Sequence, residues 1–329
     1  MRRTSGSWFE EDVDAYGRPP KRTRPRTKDR PDYSQLPLGR VLSIDRGRFR
    51  LLVDGQAVTA SKARSLGRKS VIVGDQVRVD GDVSGQVNSL ARITEVEPRR
   101  SVLRRTADDA DPFERPIVAN ADQLVIVTAL ADPEPRLGMI DRVLVAGLDA
   151  GLHPILCLTK ADLATPESLL SIYQPLGVDI FITEPDADLS VLSARLAGHV
   201  SVFVGHSGVG KSTLVNRLIP QADRPTGDVN QVTGKGRHTS TSAIALPLPG
   251  ADGWVIDTPG VRSFGLNHIS DDQLLAAFPE IAAVAAECPR GCSHQSSNSD
   301  CCLDQAASFG LINPARLESY RRLCSPDMV

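Results

Sequence analysis

Three motifs suited to a nucleoside triphosphate stand in this chain in an unusual order, and that order constrains the fold more than any other feature. Thr159-Lys160-Ala161-Asp162 comes first, Gly205-His206-Ser207-Gly208-Val209-Gly210-Lys211-Ser212 second and Asp257-Thr258-Pro259-Gly260 last. In an ordinary P-loop domain the phosphate loop opens the domain and the base-reading motif follows near its end. The reversed order predicts a circularly permuted α/β domain, one cut and rejoined at another point.

The middle motif fits G-x-x-x-x-G-K-[ST] and lies between the apolar run 201–204 and an amphipathic stretch from Thr213 to Leu218. Strand, loop and helix are the context this motif requires. Glycines let successive backbone N–H groups turn inward around phosphates, so Gly205, Ser207, Gly208, Val209, Gly210, Ser212 and Thr213 are candidate nucleotide contacts. Lys211 supplies a point charge to the β and γ groups, and the Ser212 hydroxyl is a Mg²⁺ ligand. Trp254-Val255-Ile256 reads as a strand ending in Asp257, placed to hold Mg²⁺ through water, while Gly260 brings a backbone N–H to the γ-phosphate. These features fit an ATPase equally well.

The first motif selects the base. A carboxylate at Asp162 can accept from the ring N–H and the exocyclic amine of guanine, whereas adenine would leave it unpaired. Lys160 would lay its aliphatic stem over the base, and Thr159 stands where Asn is usual. Between Thr226 and Ser242 a polar, glycine-containing segment reads as a mobile switch, with Thr239 as the expected third Mg²⁺ ligand.

The 329 residues suffice for two or three domains, and 41% hydrophobic with 24% charged residues is ordinary for a soluble globular protein. No stretch approaches the ~18 apolar residues of a membrane span, so a cytoplasmic protein is expected. The net charge of −2 hides a basic run, Arg18 to Arg30, within a tail (1–35) too poor in apolar residues to fold. Short runs at 39–44, 48–53, 56–60, 76–79 and 87–96 predict a small all-β barrel of the oligonucleotide-binding type over 36–105. Beyond it, apolar runs at 123–129, 155–159, 180–183, 201–204 and 254–256 predict a covered parallel sheet over 106–265. Residues 266–329 read as helical, with helices at 271–287 and 314–323 on either side of a cluster of cysteines and His294. In a cytosolic chain such crowding points to metal before disulfide.

The permuted order, the run Gly236-Arg237-His238-Thr239, the segment from Asp257 to Gly265 and the cysteine cluster together resemble the family of ribosome small-subunit-dependent GTPase A. The resemblance implies a barrel, a permuted GTPase domain and a C-terminal zinc domain. It also implies a monomer that binds the 30S subunit, contacts 16S rRNA and hydrolyses GTP to GDP during late subunit maturation. One structural Zn²⁺ would be held by Cys288, Cys292, His294 and Cys301, with Cys301 preferred to Cys302 by the family's spacing to Arg316-Leu317-Glu318-Ser319-Tyr320. Two departures stand out: Thr183-Glu184 replaces the Ser-Ala that supports the base, and the cysteine spacing differs from the usual pattern. The alternative reading is an rRNA-binding assembly factor with a vestigial nucleotide site.

The order also has a mechanical reading. The segment after Gly260 leads into the cysteine domain while the base-reading side joins the barrel, so nucleotide state is expected to tilt these two modules relative to each other. Many GTPases orient the attacking water with a Gln just after Asp-x-x-Gly, but here Val261 stands there and cannot hydrogen-bond it. With Lys211 on the phosphates, His238 on the switch is the expected water-positioning group. His238→Ala should therefore lower ribosome-stimulated GTP turnover by roughly 100-fold with ribosome binding intact; near-normal stimulated turnover would exclude the role.

Overall fold

Alternation between Leu38 and Val96 closes into a barrel. A computed structural model describes residues 32–67, 70–106, 113–222, 243–261, 264–295 and 300–324; residues 1–31 of the expected basic tail (1–35), the switch segment and both of its candidate residues, His238 and Thr239, lie outside them. Residues Leu36–Val329 form one unit. Strands β1 (Leu38–Asp45), β2 (Arg48–Val53), β3 (Gln56–Lys62), β4 (Gln76–Gly81) and β5 (Ala91–Val96) pair in the order β1-β2-β3-β5-β4, and β4 returns to β1. The β3–β5 pair is parallel and the others antiparallel, the connectivity of an oligonucleotide-binding barrel. Val41, Phe49, Leu51, Val58, Val77 and Ile93 fill its interior. The fifth strand begins four residues later than the sequence suggests, because Val87 is exposed in a turn.

A hairpin of β6 (Val102–Arg105) and β7 (Arg115–Ala119), which the apolar pattern did not reveal, leads to the second layer. There β8 (Gln123–Ala129) pairs in parallel with β9 (His153–Thr159) on one side and β11 (Val200–Gly205) on the other; β10 (Asp179–Ile182) adds to β9 and β13 (Trp254–Asp257) to β11. All seven residues of β8 are buried. Leu124 and Ile126 belong to one apolar cluster and Val125 and Val127 to the other, as expected of a sheet covered on both faces. Covering comes from α1 (Leu137–Asp149), α2 (Glu167–Tyr173), α3 (Ser190–Leu196) and α4 (Lys211–Leu218).

An antiparallel strand missed in the sequence, β12 (Ile244–Pro247), joins the two layers: it pairs with β13 and meets β1 at Ser43 opposite Ile244. The barrel thus abuts the phosphate edge of the sheet. The base-reading strands β9 and β10 occupy the opposite edge. This overturns the expectation that the base-reading side carries the barrel, since pairing follows strand edges rather than chain order.

Several contacts lock this seam. Asp75, fully buried, accepts from Ile72 N–H at 2.8 Å and from Arg99 at 2.7 and 2.9 Å. The Asn120 amide donates to Gly74 O at 3.0 Å, Ala119 N–H donates to Val73 O at 3.0 Å, and Arg40 stacks 5.2 Å from the Trp254 ring. Gly74 has φ +90°, and a Cβ there would lie 2.1 Å from the Ala119 carbonyl oxygen.

The C-terminal helices are α5 (Asp271–Ala276), α6 (Pro279–Ala285), α7 (Cys302–Ser308) and α8 (Pro314–Cys324). The single helix expected over 271–287 is broken, because Pro279 lacks an N–H and holds Phe278 out of helical geometry at ψ 71°. Ser270 and Gln273 form a capping box that starts α5. This module docks on the base side of the sheet: buried Asp141 of α1 accepts from Tyr173 Oη at 2.9 Å and Arg322 Nη2 at 2.8 Å. Among the described residues no helix is long and apolar enough to cross a membrane.

Gly74→Ala should cost about 2–4 kcal/mol through strain at a positive φ and overlap with a backbone oxygen. Urea unfolding should show the midpoint falling accordingly.

Candidate functional site

Parallel pairing places the C-terminal ends of β9, β8, β11 and β13 along one edge, and the sequence motifs sit at those ends. Gly205 ends β11, where a Cβ would lie 2.5 Å from the Val127 carbonyl oxygen. Gly208 and Gly210 take φ of +85° and +83°, turning the loop into α4, and Val209 anchors it in the core. Gly260 comes within van der Waals reach of Ser207, its virtual Cβ 3.4 Å from the Ser207 Cα and N atoms. Val261 N–H donates to Gly205 O at 3.1 Å. The phosphate loop and the Asp-Thr-Pro-Gly segment are thus in direct contact.

Lys211 and Asp257 are both buried and paired: the Lys211 ammonium donates to the Asp257 carboxylate and to the Thr258 carbonyl. Thr258 is itself fixed by its hydroxyl, which donates to Phe203 O at 2.7 Å. Removing either partner would leave an uncompensated buried charge. Ser212 is half-buried beside Lys211, and Thr213 is exposed one residue on. Val261 is turned into the apolar core with Ile256 and Phe264, so the position after Gly260 offers no group to a water.

The base motif reaches the phosphate loop through Thr159. This buried hydroxyl donates to Val209 O at 2.6 Å. Lys160 adopts φ +58°, and its ammonium donates to the Asp132 carbonyl. Between these segments lies a cleft of about 160 Å³, lined by Thr159, Lys160, Thr183, Glu184, Pro185 and Thr213 among others. A second cavity, under Val127, Pro133 and His206, encloses only about 20 Å³, too little for a purine. Asp162 is exposed on the turn that Leu163 N–H closes onto Lys160 O at 3.0 Å; it does not line the cleft. Thr183-Glu184 lies where the resemblance set it, whereas Pro185, Asp132 and Arg217 were not legible as site residues: Asp132 offers Lys160 its backbone carbonyl, and the Arg217 guanidinium reaches only backbone carbonyls.

The second cluster lies in the C-terminal module. One ligand atom from each of Cys288, Cys292, His294 and Cys301 falls within 4.8 Å of the others. Cys302 lies outside that group of four, its thiol donating to the Glu287 carbonyl at 3.5 Å. His294 Nδ1 is buried without a hydrogen-bond partner, a cost that a coordinated cation would remove. Burial pushes the Cys288 and Cys301 thiols up; burial first, then Arg321, pulls His294 down and favours the neutral imidazole that binds metal. Arg321 donates to His294 O at 2.9 Å and to both Asp304 oxygens at 2.7 and 2.8 Å, fixing the ligand loop. Four such donors can close a tetrahedral site with no open position.

Fold and site together define a circularly permuted P-loop GTPase with a C-terminal module whose three cysteines and one histidine could hold a metal. A model of the RsgA GTPase family matches residues 96–267. The small ribosomal subunit biogenesis GTPase RsgA of Pseudomonas aeruginosa strain LESB58 is 41% identical over 263 residues, 77% of this chain and 75% of that protein. Its namesake from Azotobacter vinelandii is 43% identical over 235 residues, 69% and 67% of the two chains. The crystal structure of YjeQ from Thermotoga maritima superposes with a TM-score of 0.66 at 25% identity, over 88% of this chain and 97% of that one. YloQ, a circularly permuted GTPase, shares the fold at a TM-score of 0.62. The chain belongs to the RsgA GTPase family and is a GTP-hydrolysing enzyme.

Thr159→Val keeps the shape but leaves the buried Val209 carbonyl without its donor, a loss of about 1–3 kcal/mol. Calorimetric titration should show GDP affinity about tenfold lower, whereas Thr159→Asn, which restores a donor, should bind near normally.

Proposed function

We propose that this enzyme is a ribosome-stimulated GTPase that binds the small subunit and assists its late maturation. What carries the reading is the Thr159–Val209 hydrogen bond, which joins a base cleft to a phosphate loop inside a family whose curated relatives are named for small-subunit biogenesis. In this reading guanine enters the cleft, Lys160 covers it and Asp162 closes onto its N1–H and amine. The phosphates sit against Gly205, Ser207, Gly208, Val209, Gly210, Ser212, Thr213 and Gly260. Incoming phosphate draws Lys211 from Asp257, which frees the carboxylate for Mg²⁺ together with Ser212 and Thr239. His238 positions the water, a step that Val261 cannot perform from within the core.

The cation of the C-terminal cluster is Zn²⁺ in this reading, held by Cys288, Cys292, His294 and Cys301. Three thiolates and one imidazole suit it, and its role is structural. The chain divides into a basic tail (1–35), an RNA-binding barrel (36–105), a GTPase domain (106–265) and a zinc domain (266–329). The barrel touches 16S rRNA, and the protein acts as a cytoplasmic monomer.

Asp162→Asn tests the base assignment. Its amide can donate to the carbonyl that xanthine carries in place of the guanine amine, so GTP binding should fall about 100-fold or more while xanthosine triphosphate binding rises. An unchanged preference removes Asp162 from base recognition. Equal turnover with and without 30S subunits contradicts the ribosome-stimulated reading.

A further inference from the structure

One wall of the cleft comes from outside the three motifs. Glu184-Pro185-Asp186-Ala187 form a turn closed by Ala187 N–H donating to Glu184 O at 3.2 Å, with proline at the second position, where its fixed φ suits a turn. On the β9 side the turn is tied by Thr183 N–H to Leu158 O at 2.8 Å and by Ala161 N–H to Thr183 O at 3.2 Å. On the other side Arg217 holds it. Arg217 lies in the last turn of α4, four residues after Thr213, and both line the cleft. Its Nη1 donates to Glu184 O at 2.7 Å and its Nη2 to Ala187 O.

One planar fork thus takes the first and last carbonyls of a single turn, with charge-assisted bonds. Both acceptors are backbone atoms, so the contact fixes where the turn sits whatever its side chains. Lys211, which serves the phosphates, starts the same short helix. The geometry points to Arg217 as a positioning residue for base recognition: it pins the Glu184–Ala187 turn to the phosphate-loop helix and so sets the width of the base cleft. This rests on the reading of that cleft as the guanine site.

Arg217→Ala and Arg217→Lys variants of the whole chain, with Asp162→Asn alongside, test it by GTP turnover and by titration with GDP and with inorganic tripolyphosphate, which meets only the phosphate loop. For Arg217→Ala the KM for GTP should rise about tenfold with kcat within about twofold and tripolyphosphate affinity unchanged. Lysine offers a single nitrogen and should recover part of the loss. A merely structural role would lower kcat and the melting temperature without moving KM, and that result overturns the proposal. So do an unchanged KM or equal losses for GDP and tripolyphosphate. Should Arg217→Ala fail to fold, Arg217→Lys decides: a parental KM overturns the idea and a severalfold rise supports it. If Asp162→Asn leaves the nucleotide preference unmoved, the premise about the cleft fails and the proposal with it. If that preference shifts while the Arg217 variants bind GTP normally, the positioning role alone falls.

Discussion

Parallel pairing of β8 with β9 on one side and β11 on the other is the constraint from which the rest of the site follows. It brings strand ends far apart in sequence to one edge, where the Thr159 hydroxyl can reach Val209 O at 2.6 Å. Backbone hydrogen bonding is indifferent to which strand comes first along the chain. A permuted chain can therefore rebuild the same nucleotide site, provided each strand keeps its neighbours and its apolar faces.

The same indifference governs the outer modules. Along the chain the barrel precedes the base motif and the cysteine module follows the γ-phosphate segment, yet in space the barrel meets β12 and the cysteine module docks on α1 through Asp141. The buried Asp75–Arg99 pair and the close approach of Gly74 to Ala119 fix the barrel seam. A bridge between Thr106 and Gly265 ties the end of β6 to the segment beyond Gly260. The barrel is thus joined to the sheet through β12 and the hairpin to the segment beyond Gly260 through Gly265, connections that chain order alone conceals.

Much of this was legible beforehand, for stated reasons. Glycines of the phosphate loop announce positive φ, and the apolar run 123–129 announces a strand buried on both faces, which β8 is. The cysteine cluster announced a group of donors able to hold a metal, because few other arrangements justify so many thiols in one loop. Less legible were β12, a four-residue run that ends in Pro247, and the β6–β7 hairpin, whose short apolar stretches are flanked by arginines. The break at Pro279 runs against the alanine-rich composition around it, which favours helix, although the proline itself signals a boundary.

Sequence by itself determined which residue types stand ready for phosphate, a base and a metal, and that the order of their motifs is permuted. These are properties of side-chain type and spacing, which survive without coordinates. Tertiary structure decided which surfaces touch. It gathered Cys301 with Cys288, Cys292 and His294, turned Val261 into the apolar core, and recruited Arg217 to a turn thirty residues away. Those outcomes depend on strand edges and on backbone carbonyls, which every residue carries alike and no sequence pattern distinguishes.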